Sequence, residues 1–377
     1  MKRLLPLVFL FAASAARADT FLYAGSYTAG TSKGIYAWRY DPATGKASPL
    51  GLVAPAPNPA HLWATADGRF LYAVNWRAQG NQEGDTVSAY AVNSRTGALT
   101  LLNKVASHGS QPNQVVLDHS GKVAVTVNYN DGTVAAFLRE PDGKLGEAFY
   151  VDRHKGAPLS AAQPGPRAHG IVFSPDNRFM FVAELGLDRV YSYRFDARGP
   201  SLTPLDPPFV GTHAGAGPRR LQISPDGHFL YVNHETDSEV SVFSVNQGHL
   251  TEVQVIATVP PEGKARNSTA ENLLDSSGRC LYVTNRGHDS LAIFTVNRAD
   301  GRLARIANTP SGGRTPRNIR FDPAGKFLFA ANENGGNIVE FAFDGKSCAL
   351  KPTGVTLPID TPGGLWFVQT RPRGRGH

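Results

Sequence analysis

The 377-residue chain is 41% hydrophobic and 18% charged, a globular rather than a disordered composition. Its 39 Gly and 27 Pro make up about 18% of the residues, against a usual ~12%, which argues against a helical bundle and for many turns. Two Cys exclude a disulfide scaffold and any Cys-rich metal or iron–sulfur centre, and the formal charge of +7 forms no dense basic patch of the kind nucleic acid requires.

Residues 1–18 read as an export signal. Lys2 and Arg3 give a positive start, Leu4 to Ala13 a short apolar stretch, and Ala16-Arg17-Ala18 a small-x-small cleavage pattern, with Asp19 the first mature residue. Removing Lys2, Arg3 and Arg17 takes the formal charge from +7 to +4, part of it in the basic tail 371–377. No internal apolar run is long enough for a membrane span. The expected location is therefore the periplasm or the exterior. Export permits a disulfide between Cys280 and Cys348; two separate thiols are the alternative. Asn267-Ser268-Thr269 matches a glycosylation sequon, a triplet common by chance.

From Phe21 onward one phrase recurs: a turn at Asp-Gly or its equivalent, then an alternating β run ending in a polar residue. The turn residues are Gly68, Gly121, Asn177, Gly227, Gly278 and Gly325, spaced by 47 to 56 residues, and Phe21 to Ser26 is a seventh, truncated copy. A period near 50 is that of propeller blades. Each unit carries a later strand, at residues 87–92, 134–138, 190–195, 240–245, 291–296 and 338–343, then a turn such as Asn93 to Gly97 and a fourth strand. Four short strands per unit make one blade. The expected fold is all-β: a seven-bladed β-propeller of four-stranded antiparallel blades over residues 19–370, with little helix. The first unit lacks its inner strand, which Gly363 to Val368 supplies, closing the ring and removing exposed sheet edges.

The Asp-Gly hairpin puts the start of each inner strand and the end of the next strand on one face. A Pro-x-x-apolar pattern precedes the inner strands. Its variable position reads Ala60, Asn113, His169, Arg219, Glu271, Arg317 and Gly363 in chain order. The second strands end in Ser26, Asn75, Asn128, Glu184, His234, Asn285 and Asn332, followed by Tyr27, Trp76, Tyr129, Leu185, Glu235, Arg286 and Glu333. Residues that repeat maintain the fold; those that differ carry chemistry. The charged side chains His169, Arg219, Glu235, Glu271, Arg286 and Arg317 thus gather at one axial funnel, either as a self-paired polar channel or as a site. Three arginines suit a carboxylate or phosphate, Glu235 and His169 suit general base and acid, and Trp76, Tyr27 and Tyr129 suit a sugar ring or plain packing. Asn128 and Trp76 join Glu271 and Arg317 as candidate substrate contacts. No metal or other cofactor is expected, because the funnel carboxylates have arginine partners. The eleven His are scattered. There is no P-loop or zinc-binding H-E-x-x-H.

At Phe21 to Tyr27, Gly217-Pro218-Arg219-Arg220-Leu221 and Tyr282 to Ser290 the sequence resembles the seven-bladed propeller lactonases. That family includes bacterial 6-phosphogluconolactonases and fungal carboxy-cis,cis-muconate cyclase. The likeness covers nearly the whole mature chain. It implies hydrolysis of a sugar-acid lactone, with the family's His, Arg, Glu and second Arg falling on His169, Arg219, Glu235 and Arg286. Two positions depart: Arg220 stands where a His is frequent, and Glu184 where Asp is common. The implied substrate, 6-phosphogluconolactone, is a cytosolic compound, whereas the signal implies export. A non-catalytic exported propeller, whose repeats share Tyr282-Val283-Thr284-Asn285, and a lactonising cycloisomerase are the alternatives. The partner is an anionic or sugar-derived small molecule, and the chain is expected to act as a monomer.

Overall fold

The structure is a computed structural model that describes residues 18–77 and 85–370. The expected export signal, Ala18 excepted, and the basic tail lie outside the described residues. Seven four-stranded antiparallel sheets form a ring of blades. Blade 1 joins Thr20–Ser26, Gly34–Asp41 and Lys46–Pro55 to the C-terminal strand Pro362–Gln369, which is its innermost strand. Phe21 pairs with Val368 and Leu22 with Phe367, so the two ends of the chain close the ring through a backbone ladder. Blades 2 to 7 begin with the inner strands Leu62–Ala64, Pro112–Leu117, Ala168–Phe173, Pro218–Ile223, Ser268–Leu274 and Pro316–Phe321. Helix is confined, among the described residues, to the short 3-10 turns Leu185–Leu187 and Pro261–Arg266. No helix among them is long and apolar enough to cross a membrane.

The inner hairpins turn where a left-handed backbone is required. Gly68, Gly121, Gly227, Gly278 and Gly325 have φ between 64° and 78°, and Asn177, the residue next best suited, has 59°. The second strands are buried along their length because blades cover both faces, so they read as continuous apolar runs such as Phe179–Glu184. The core consists of layers between neighbouring blades. Tyr231, Val240 and Val242 of blade 5, for instance, pack on Leu281, Val283 and Phe294 of blade 6. Burying each such side chain contributes roughly 1.5–3 kcal/mol.

One blade-to-blade contact recurs. A phenylalanine at the start of a second strand packs on the glycine that ends the outer turn of the next blade: Phe21 on Gly97, Phe70 on Gly143, Phe179 on Gly248, Phe229 on Gly301 and Phe327 on Gly45. A Cβ on Gly97 would lie 2.7 Å from the Phe21 ring, and one on Gly301 2.3 Å from Phe229. Between blades 6 and 7 the same two positions hold Cys280 and Cys348, which form a disulfide. Cys348 keeps the glycine-like backbone, with φ 61°. The bridge therefore replaces an aromatic-on-glycine contact with a covalent one, and of the two alternatives for these cysteines the structure adopts the bonded one.

The repeated Asn at the second-strand ends ties blades together. Asn128 donates to the Ser107 carbonyl at 3.0 Å, Asn285 to that of Thr258 at 3.4 Å and Asn332 to that of Ser311 at 3.1 Å. Each acceptor lies just past the outer strand of the preceding blade.

Candidate active site

The variable position of the inner strand is a β-bulge in six of the seven blades, all but blade 2. Pairing with the second strand skips Asn113, His169, Arg219, Arg317 and Gly363, and skips the pair Ala270-Glu271 in blade 6. A bulge frees one residue from the ladder and re-aims its side chain. The residues that differ from blade to blade are thus those the backbone releases from pairing.

At the centre is Glu235, whose backbone N–H is held by the Gly217 carbonyl at 2.8 Å. Its Oε2 accepts from Arg219 Nε at 2.6 Å, and its Oε1 lies 3.2 Å from an Arg286 terminal nitrogen. His169 Nε2 is 3.8 Å from Oε2. Arg286 also donates to the Thr269 carbonyl at 2.9 Å, and Arg219 to that of Ala270. Arg219 and His169 are almost fully buried, while a quarter of the Glu235 side chain remains exposed. The four residues of the implied constellation therefore meet at one carboxylate.

The electrostatics follow from that packing. Burial would raise the Glu235 carboxyl, but Arg286 and Arg219 outweigh it and hold it at about 2. Burial, reinforced by Arg219 and Arg220, pushes His169 well below the usual imidazole range, so the ring is neutral at pH 7. Burial pushes the Arg219 guanidinium down to about 9, still protonated at neutral pH. His169 Nδ1 is buried without a hydrogen-bond partner, and Tyr129 meets the ring edge-on at 5.6 Å between centroids.

The remaining predicted residues divide. Arg317 lies in the same funnel wall, bonded to Glu333 at 3.2 Å and stacked 4.9 Å over the Tyr27 ring, which in turn packs on Trp76 at 5.3 Å. Glu271 is turned into a buried network instead: Asn318 donates to it at 2.8 Å and Arg220 Nε lies 3.6 Å away. Asn128 is fully buried and spends its amide on the Ser107 and Thr133 carbonyls, so the structure gives it the repeat's blade-joining part. Sequence reasoning missed the part of Arg220, which donates to the His169 carbonyl at 3.2 Å and to that of Asn113 at 3.5 Å. Its departure from the family pattern was the available signal. Glu184 accepts from His154 at 2.7 Å and from the backbone N–H of Arg167, two residues before His169, and so shapes the approach to that strand.

The segment 264–269 is tied to the neighbouring blade. Lys264 pairs with Glu239 at 2.7 Å, and Asn267 donates to Ser238 and Asn285. Those bonds also occupy the amide of the sequon asparagine, which is buried.

The funnel is chemically two-sided. His169, Arg219, Glu235, Arg286 and Arg317 belong to blades 4 to 7, while blades 1 to 3 contribute small or aromatic residues: Gly363, Ala60, Asn113, Tyr27, Trp76 and Tyr129. A cleft of ≈ 600 Å³ opens on the opposite face, lined by Trp63, Asp118, His119, Arg139, Arg320 and Trp366 among others.

Residues 21–367 match the family model "Lactonase, 7-bladed beta-propeller". The chain belongs to the seven-bladed propeller lactonase family. Among lactonase relatives, a 6-phosphogluconolactonase of Bacillus subtilis is 33% identical over 343 residues, covering 89% of this chain and 95% of the relative. A 6-phosphogluconolactonase of Formosa agariphila is 30% identical over 335 residues, 86% of this chain and 92% of the relative. Among solved lactonase structures, the periplasmic gluconolactonase of Pseudomonas aeruginosa superposes with a TM-score of 0.86 at 32% identity, covering 93% of this chain and 99% of that one.

Proposed function

We propose that this lactonase-family protein hydrolyses the lactone of a sugar acid at the funnel formed by His169, Arg219, Glu235 and Arg286. The observation that carries the reading is the Glu235 carboxylate, ionised between two arginines, with a neutral buried imidazole beside it. Lactone opening builds negative charge on the carbonyl oxygen as water adds, and Arg219 and Arg286 are the donors placed to receive it. The arginines make the resting Glu235 a weak base. As the oxyanion draws on them, the carboxylate regains basicity and takes the proton of the attacking water. The ring C–O bond then breaks, and the proton passes, with His169 as relay, to the departing ring oxygen. The aromatic half of the funnel receives the hydroxyl-rich ring, and Arg317 holds an anionic substituent.

The expected export signal makes this a periplasmic or secreted enzyme, in keeping with the periplasmic gluconolactonase among its structural neighbours. The chain is proposed to work as a monomer, since the site draws on one ring only.

The test is lactone hydrolysis by the mature chain from Asp19, on 6-phosphogluconolactone and on unphosphorylated aldonolactones, against the spontaneous rate. Turnover that disappears in a folded Glu235→Gln variant is expected. A rate no higher than background on every lactone, or an undiminished rate in the variant, overturns the assignment.

A further inference from the structure

Two of the histidines that look scattered in sequence come together outside the funnel. His213 lies in the loop that enters the inner strand of blade 5, and His234 ends the second strand of that blade, one residue before Glu235. Asp237 follows in the connection and Glu239 opens the third strand. One ligand atom from each of the four residues lies within 4.8 Å of all the others.

We propose that His213, His234, Asp237 and Glu239 form a binding site for a divalent transition-metal ion of the zinc type, which clamps two loops beside the catalytic funnel. The spacing suits such an ion. Four ligands at ~2.0–2.1 Å from zinc sit about 3.3 Å from one another at the corners of a tetrahedron. Here His234 Nδ1 is 3.3 Å and 3.4 Å from the two Asp237 oxygens, His213 Nε2 is 3.7 Å from Glu239 Oε2, and His213 also contacts Asp237 directly. Shifts of about an ångström complete the set. Lys264 engages the other Glu239 oxygen, Oε1, and leaves Oε2 facing His213.

Two imidazoles with two carboxylates favour zinc, cobalt or nickel over calcium or magnesium, which prefer all-oxygen sites. A separate observation concerns His234. Its side chain is fully buried and its Nε2 has no hydrogen-bond partner. Its other nitrogen, Nδ1, is the atom that faces Asp237, so burial fixes the ring with that nitrogen presented to the cluster.

The clamp reaches the site through the backbone. The loop carrying His213 continues to Ala216 and Gly217, whose carbonyls accept from Thr236 and Glu235 at 3.3 Å and 2.8 Å. The same loop leads directly into Arg219. An ion here holds the segments bearing Arg219 and Glu235 in register without touching the substrate.

The experiment is titration of metal-free protein with Zn²⁺ alone, and with Co²⁺ followed by its visible spectrum, on the wild type, His213→Ala and Asp237→Asn. His213 is exposed and Asn preserves the shape of Asp, so both variants keep the fold. The expected result is one equivalent bound by the wild type, a four-coordinate Co²⁺ spectrum, a higher melting temperature with metal, and at least 100-fold weaker binding in both variants. No stoichiometric binding by the wild type, or equal affinity in His213→Ala, overturns the proposal. The readout is independent of lactone turnover, so its failure does not bear on the assignment of the funnel.

Discussion

Glu235 shows how few residues set the character of the funnel. Its carboxyl is held at about 2 by Arg286 and Arg219 against the opposing effect of burial. Replacing Arg286 with Gln removes one of those charges and one oxyanion donor. The rate is expected to fall by roughly 10²–10³-fold, and the acidic limb of the pH–rate profile to move upward, because the Glu235 carboxyl returns toward its ordinary value. A lower rate with an unmoved acidic limb would separate Arg286 from Glu235. Stability follows the same sign. A carboxyl depressed in the folded state stabilises it above pH ~4.5, and that contribution is lost as pH falls toward 2. His169, lowered by burial, is neutral when folded but protonates below about 6.5 when unfolded, so acid destabilises the fold through it too. Melting temperature is expected to drop between pH 7 and pH 5, and to drop less in His169→Gln; an identical drop in the variant would show that other groups carry it. At this scale the sequence displayed which side chains are charged and unlike their counterparts. It did not display the pairing that turns Glu271 toward Asn318 and away from the funnel centre, because that depends on Arg220, whose partners lie in three different blades.

Among the elements, the bulged inner strands and the aromatic-on-glycine contact carry the most information. The strands themselves were legible, since a short apolar run after an Asp-Gly turn, repeated at a period near 50, is hard to hide. The bulge was not. It appears in sequence only as a proline before a variable residue, and Ala168 and Ala270 lack even that proline. The disulfide was legible as a permitted pairing and no more, because the equivalence of Cys280 with Phe21 and of Cys348 with Gly97 emerges only when the blade interfaces are superposed. That equivalence has a measurable consequence. Closing a loop with a sequence separation of 68 stabilises by about 4 kcal/mol in the chain-entropy account. Reduction is therefore expected to lower the melting temperature. The double variant Cys280→Phe/Cys348→Gly restores the contact used by the other blades, and should melt above the reduced wild type. A double variant less stable than the reduced protein would mean that the neighbouring side chains have adapted to the cystine.

For the whole molecule, closure is the governing fact. The ladder from Phe21–Val368 to Gly25–Gly364 is the seam at which a linear chain becomes a ring, and the strand that makes it also brings Trp366 against Trp63 and Arg320. Deleting residues 362–377 leaves blade 1 without its inner strand and exposes the edge of Thr20–Ser26. The truncated chain is expected to lose cooperative thermal unfolding and to self-associate, as followed by calorimetry and light scattering. A monomeric truncation with an unchanged melting temperature would show that the ring does not depend on the seam.

The bulges have a consequence for how such a ring can diversify. Most blades release near the axis one residue that their own sheet does not need for pairing. Such addresses around one mouth can be rewritten one at a time while the architecture is inherited unchanged. At Gly363, a Cβ would already stand 3.1 Å from the Tyr27 ring, so rewriting that address requires the ring to give way.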